Sequence, residues 1–435
     1  MLKSQMWRWS TLTAAVVIGS GCPQNETEPE EIKGTLQLRG LFDQSGPTAD
    51  VGVSYSKGVI DAFREVNEAG GIRGYKVELQ SFDYKYDPAL ALAKYNEWKA
   101  DPSWGSVVSL MGWGTADAVK LSPEVARDEK PYVTASYAGI LATPTPVEKT
   151  VGLPDGTQYA VKSSGAPYNF FGGTDYSTSL RIGLSFAKDK NAKKVAFAYC
   201  SAGYCTEPIA AGKTWAASIG LTVAPDIRPE LTDSEEAIDQ KMATYFAENP
   251  DVDWVWIGNS KKTAIFAAKA IKKYAPNARL IVNVFGFDET VYSLCGEPCV
   301  GSMYGVLAFA AYGDVRYPGM EEVVRIHDKF RKADGEDLAL YSDVRYVQGY
   351  VSFLLWRKAL EKVLDEEKEI TGPNLKAALE SFTNVDMGGL TAPITFSATD
   401  HRPTAGARIY SVNSFGKLQF EDQLGVELLP DWLGW

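Results

Sequence analysis

The sequence predicts an α/β chain built from two doubly wound parallel sheets, and three observations carry that prediction. The first is a strand, glycine loop, helix, glycine turn and strand within residues 36–82. The second is the same alternation of strands and helices starting again near Phe170 and continuing to Ala308. The third is size, since 435 residues with 45% hydrophobic content supply two cores of ordinary domain size.

In the first unit Leu36, Leu38, Leu41 and Phe42 are the apolar residues of a strand, which Asp43, Gln44, Ser45, Gly46 and Pro47 end with turn chemistry. Tyr55, Val59, Ala62, Phe63 and Val66 recur at spacings of three and four, the buried face of a helix, and Gly70 and Gly71 supply its left-handed stop. Val77 and Leu79 begin a parallel strand. A right-handed crossover then sets residues 43–47 and the helix start at the carboxyl edge of the sheet, where ligands bind. A helix follows Asp87-Pro88, and residues 106–111 form a strand. Gly112-Trp113-Gly114-Thr115 lead into a helix through Val119 and Val125; as a dinucleotide loop this stretch fails, because Asp117 stands at the third glycine. Residues 130–137 are the next strand and its exit, and Asp155-Gly156 turns an inserted hairpin over 148–164.

The second series opens with Asp175 and Ser177 capping a helix through Leu180, Ile182, Leu184 and Phe186. Strands are expected at 194–199, 254–257, 280–285 and 302–308, with a further one beginning at Leu221. Helices are expected from Thr206, at 235–246 and at 263–274, and later at 320–332, 344–363 and 373–381.

Composition narrows the function. The chain carries 44 basic and 55 acidic residues, a net charge of −11, which disfavours nucleic acid as a partner. His327 and His401 stand apart from any ligand-like cluster, so neither a metal site nor a histidine triad is expected, and no cofactor. Ser54 to Lys57 spells S-x-x-K without the S-D-N or K-T-G that would make it catalytic, so an enzyme is not expected.

Lys3, Arg8 and the apolar run 12–18 read as an export signal over 1–21. The small residues before Cys22 resemble a bacterial lipoprotein signal, which makes Cys22 the lipidation site although Gly19 replaces the usual aliphatic; 22–33 is then a flexible tether. Cys200, Cys205, Cys295 and Cys299 form an even set suited to an oxidising compartment. Of the three ways to pair them, the one made of the two local bridges, each closing a short glycine-containing loop, is favoured over the other two and over a zinc site.

Ser45-Gly46-Pro47, the N-x-A-G-G-I-x-G run from Asn67 to Gly74, Asp83, and Asp87-Pro88 with Ala91 resemble, as an ordered series, the opening of the type I periplasmic binding proteins of the leucine/isoleucine/valine-binding family. The resemblance extends over about residues 36–412. It implies a clamshell of two lobes joined by three crossovers, the first from 34–169 with 309–384 and the second from 170–308 with 385–435. It further implies a monomeric, lipid-anchored periplasmic protein that delivers a small polar solute, an amino acid of branched-chain type or related, to an ABC permease in the inner membrane. The alternative is the same clamshell reporting an amide, urea-like or aromatic acid solute to a membrane receptor.

The family's contact positions fall on residues of this chain. Gly114 and Thr115, with Ser136, would hold the solute carboxylate, as suits a helix N-terminus. Gln44 in the first loop and Asn259 in the second lobe would add polar contacts, and Tyr204 would close over the solute. Asp288 would receive an α-ammonium, or else cap the helix beginning near Glu289-Thr290-Val291. Trp113, Tyr137 and Tyr204 would set selectivity, their bulk pointing to a small or flat solute. Residues 393–412 resemble the family's closing hairpin, with His401 structural.

Overall fold

The structure is a computed structural model that describes residues 31–152, 156 and 158–433. The export signal, Cys22 and the turn residue Asp155 lie outside the described residues. In chain order the strands are β1 (Gly34–Phe42), β2 (Tyr75–Asp83), β3 (Val107–Gly112), β4 (Tyr132–Thr134), β5 (Val147–Gly152), β6 (Gln158–Ser163) and β7 (Asn169–Phe170). They continue as β8 (Lys194–Ala198), β9 (Thr222–Val223), β10 (Trp254–Ile257), β11 (Arg279–Val282), β12 (Met303–Leu307), β13 (Gly406–Val412) and β14 (Leu418–Gly425).

The first sheet has the order β2-β1-β3-β4-β7 and is parallel throughout. The second has the order β14-β13-β12-β11-β10-β8-β9, parallel from β9 to β12, with β13 and β14 added antiparallel. β5 and β6 form the inserted hairpin on their own. Every residue of β3, β10 and β12 is buried, as strands covered by helices on both faces must be.

The helices are α1 (Ala49–Glu68), α2 (Pro88–Ala100), α3 (Thr115–Arg127), α4 (Tyr176–Asp189), α5 (Gly203–Thr206), α6 (Ile209–Ser218), α7 (Glu235–Glu248) and α8 (Lys261–Tyr274), then α9 (Val291–Cys295), α10 (Gly319–Ala333), α11 (Val344–Asp365) and α12 (Gly372–Glu380). Around the first sheet α1 packs on α11 and α2 on α3; around the second α4 packs on α6 and α7 on α8. The α1–α11 crossing is close because it is built on glycine: a Cβ on Gly58 would strike the Tyr346 carbonyl, and one on Gly349 the Tyr55 carbonyl. That contact seats Asp343, the N-cap of α11, where Ser54 Oγ of α1 donates to it at 2.7 Å.

Four local expectations are corrected. The helix expected from Thr206 is two helices, α5 ending at Thr206 and α6 starting at Ile209, because Pro208 stands between them and has no N–H to continue the ladder. Asp175 alone caps α4, accepting from Thr178 N at 2.9 Å, while Ser177 lies inside the helix. β11 stops at Val282, not at Phe285, because the Asn283 side chain accepts from Phe285 N and Gly286 N at 2.9 Å each and turns the chain. The closing hairpin is β13 with β14; residues 393–400 make only isolated bridges, in a stretch interrupted by Pro393 and Pro403.

Cys200 is bonded to Cys205 and Cys295 to Cys299, with Cα atoms 5.4 and 6.0 Å apart, which commits all four thiols to disulfides. His401 is fully buried, hydrogen-bonded to Asn169 O at 2.9 Å and Glu380 Oε1 at 3.1 Å, and so ties the last crossing segment to the first sheet.

Candidate functional site

Loops at the carboxyl ends of β1, β2, β3, β10 and β11 converge on one small cavity between the two sheets. At the end of β1 the buried Asp43 accepts from Gly46 N at 2.6 Å, Thr48 N at 2.9 Å and Thr48 Oγ1 at 2.7 Å, which folds the Ser45-Gly46-Pro47 loop into α1. Thr48 Oγ1 in turn accepts from Trp113 Nε1 at 2.9 Å. The indole is thereby fixed, with its ring 5.1 Å from Tyr55 and 5.4 Å from Phe285 of the other sheet.

After β2, Lys85 and Tyr86 take φ values of 55° and 57°, consecutive left-handed residues without a glycine. Each costs about 1 kcal/mol or more, and the outcome is a Tyr86 side chain delivered into the cavity. There it lines the wall beside Gly114 and Thr115 at the start of α3. Gly114 permits this, since a Cβ there would collide with the Tyr84 hydroxyl and the Tyr86 ring. Thr115 Oγ1 lies 2.7 Å from Ser136 Oγ and 3.2 Å from the Tyr176 hydroxyl, so a cluster of hydroxyls surrounds the start of α3.

The segments that follow β8, β10 and β11 of the second sheet contribute Tyr204, Ser260 and Phe285. Ser260 N donates to the Tyr204 hydroxyl at 3.0 Å, and the Tyr204 ring stands edge-on to Phe285 at 5.7 Å. Five aromatic rings, those of Tyr86, Trp113, Tyr176, Tyr204 and Phe285, with Val51 and Thr48, leave a space of ≈ 10 Å³, enough for about one water molecule. Among the described residues no charged side chain lines it.

Trp113, Gly114, Thr115 and Tyr204 line the cavity, and Ser136 sits one hydrogen bond behind Thr115. Tyr137 is a layer further back, stacked on Phe285 at 6.0 Å, with its hydroxyl accepting from Gln348 Nε2 at 2.5 Å. Gln44 is exposed and donates to Ser56 Oγ at 3.1 Å, away from the cavity. Asn259 is fully buried but spends its amide on Pro229 O at 2.7 Å.

Asp288 is also buried and outside the lining. Its Oδ2 pairs with Lys261 Nζ at 3.0 Å, and its Oδ1 accepts from Thr290 N at 2.8 Å and Thr290 Oγ1 at 2.5 Å. Lys261 and Thr290 hold its carboxyl below the usual carboxylate range against the opposing effect of burial, while the N-cap of α9 is Thr290 itself. Thr48, Val51, Tyr86, Tyr176, Ser260, Phe285 and Lys261 are the site residues that sequence reasoning missed. Tyr86 had a signal: it stands between the acidic strand end Asp83 and the helix start Asp87-Pro88.

Asp117, in the first turn of α3, is fully buried and accepts from Tyr84 at 2.6 Å and Tyr132 at 3.0 Å. Burial, only partly offset by these hydrogen bonds, pushes its carboxyl from 3.8 up to about 7. A carboxyl raised on folding contributes stability that is complete below its unfolded pKa and is lost as pH rises through the folded one. Unfolding free energy should therefore decline between about pH 4 and pH 7 through Asp117, and Asp117→Asn should flatten that decline. Urea unfolding at a series of pH values checks this; an equal slope in the variant contradicts it.

Comparison with known proteins agrees with this architecture. The periplasmic binding protein family model matches residues 38–417. A solved ABC transporter substrate-binding protein from Aeropyrum pernix is 30% identical, with a TM-score of 0.77 over 91% of this chain and 97% of that one. A branched-chain amino acid ABC transporter protein from Thermus thermophilus, solved with bound valine, is 19% identical, with a TM-score of 0.76 over 92% and 98%. A fatty acid ABC transporter substrate-binding protein from Thermomonospora curvata is 20% identical, with a TM-score of 0.75 over 93% and 96%. No curated protein matches the chain.

Proposed function

The chain belongs to the periplasmic binding protein family, and from that premise we propose that it carries a small carboxylic acid or amide, flat or apolar in body and lacking an α-ammonium group, to an ABC permease. Substrate-binding proteins of ABC transporters bind small solutes outside the cytoplasm and work with membrane permeases. What carries the choice of solute is the Lys261–Asp288 pair. The acid expected to receive an amino acid's ammonium is already matched by a lysine of the chain, and among the described residues no charged side chain lines the cavity.

The polar head would lie at the start of α3, where the helix dipole and the hydroxyls of Tyr86, Thr115, Ser136 and Tyr176 favour an oxyanion or an amide carbonyl. The body would lie between Trp113, Tyr204 and Phe285, rings supplied by both sheets. In this reading the lobes are 34–169 with 309–384 and 170–308 with 385–435. They open to admit the solute, which then favours the closed form because only there does it touch both. Gln44 and Asn259 support the loops rather than touch the solute. Export over 1–21, a lipid on Cys22 and a monomeric state complete the proposal, and no described helix is long and apolar enough to cross a membrane.

Thermal unfolding against benzoate, 3-phenylpropanoate, 4-methylpentanoate, benzamide, phenylalanine and leucine tests it. A solute present at about a thousand times its Kd adds about 4 kcal/mol to the stability of the folded state. The proposal expects an upward shift with at least one acid or amide and none with the amino acids; a shift with leucine or phenylalanine alone overturns it.

A further inference from the structure

Lys261 is the first residue of α8 and directly follows Ser260 in the cavity wall; Asp288 comes three residues after Phe285 in the same wall. On the facing helix α1, Val51 lines the cavity and Ser54, one turn further, donates to Asp343. The ion pair therefore stands beside the cavity, behind the wall that Ser260 and Phe285 form. The Lys261 ammonium also interacts with Asp343 and Asp50 of the facing side, and its side chain is only 12% exposed.

Of the carboxyls around the pair, burial pushes Asp343 up and Glu289 up to about 8, Asp50 is exposed, and Asp288 alone is held below the usual carboxylate range. Lys261 and Arg345 are the cations that act on it. Arg345 is fully buried and committed elsewhere, donating to Gln348 Oε1 at 3.0 Å and Phe287 O at 3.2 Å. A buried carboxylate persists only with a cation beside it, so Asp288 holds an ammonium position next to the cavity wherever the ammonium comes from.

Resting on the solute reading above, we propose that Lys261 is the specificity-determining residue of the cleft: it fills the ammonium position from within the chain and denies it to solutes bearing an α-ammonium. Neither Lys261 nor Asp288 lines the aromatic slot, so the pair leaves the hydroxyl-lined start of α3 free for an anionic or amide head. A chain of the same shape with an uncharged residue at 261 would present Asp288 to the solute instead.

Truncation with chemical rescue tests the ammonium position without knowledge of the solute. Lys261→Ala is expected to unfold at a lower temperature than the unaltered protein. Ethylammonium chloride should then raise its Tm by about 2 °C or more over sodium chloride at equal ionic strength, with no such gain in the unaltered protein. The doubly neutral Lys261→Ala, Asp288→Asn chain should show no rescue. Should Lys261→Ala fold only when ethylammonium is present, the proposal is supported outright; equal responses to ethylammonium and sodium overturn it. In a second arm Lys261→Ala should gain at least tenfold in affinity for phenylalanine, and no gain overturns the specificity role. If the unaltered protein binds none of the acids or amides while ethylammonium rescues Lys261→Ala, the solute reading fails and the ammonium position stands.

Discussion

Replacing Arg331 by methionine is expected to lower the unfolding free energy by about 3–5 kcal/mol, the loss that follows when one partner of a fully buried ion pair is removed. Arg331 of α10 and Asp61 of α1 are both fully buried, with Nη2 and Oδ2 2.5 Å apart. Arg331 also pairs with Glu336, and the Tyr346 hydroxyl of α11 donates to the same Asp61 oxygen at 3.1 Å. The cluster joins three helices of one face. In Arg331→Met the remaining cation near Asp61 is Arg64, 3.2 Å away but 36% exposed and so a weaker partner.

Burial already holds the Asp61 carboxyl above its usual range in spite of Arg331. Without the arginine it rises further, so the penalty should shrink as pH falls and Asp61 takes up a proton. Chemical unfolding at neutral and acid pH measures both effects. The double variant Arg331→Met, Asp61→Leu should be more stable than Arg331→Met alone, since an unpaired buried carboxylate costs more than an apolar pair. A pH-independent loss under 1 kcal/mol would show that the pair is incidental.

Trp113→Ala is expected to have an effect of similar size on stability, about 3–5 kcal/mol for removal of a large buried aromatic. It should also abolish the Tm shift given by the solute. Trp113 is 3% exposed, donates to Thr48, and touches Tyr55 on its own side and Phe285 across the cavity. It is therefore both a core residue of the first lobe and a wall of the proposed site. Trp113→Phe separates the two roles: most of the packing survives while the bond to Thr48 goes, so stability should fall by about 1–2 kcal/mol. A solute shift that persists at full size in Trp113→Ala would remove the indole from the site.

The sheets and most helices were legible because their signals are local. The spacing of Tyr55, Val59 and Val66, the positive φ at Gly70 and Gly71, and the run Trp254 to Ile257 each act over a few residues. The errors arose where a side chain reshapes the backbone: Asn283 ends β11 early and carries Phe285 into the cavity, and Pro208 divides the helix expected from Thr206.

The site was legible on the α3 side, where a glycine and a threonine at a helix start have an obvious use. It was not legible where partners meet through the fold. Nothing near Asp288 in the sequence announces Lys261, 27 residues earlier, and nothing marks Lys85 and Tyr86 as left-handed when neither is a glycine. Gln44 and Asn259 show the converse: polar residues at loop positions whose side-chain amides are given to Ser56 and to Pro229 O within the chain, although Asn259 Oδ1 is buried without a hydrogen-bond partner among the described residues.

The most direct test of the account is isothermal titration of the unaltered protein with whichever acid or amide gives the largest thermal shift, and with its α-amino counterpart. The account predicts saturable binding of the first and at least a hundredfold weaker binding of the second, about 2.7 kcal/mol of discrimination from one added charged group. Equal or tighter binding of the α-amino compound would contradict it, because a solute ammonium would then have reached an acid that Lys261 is held to occupy.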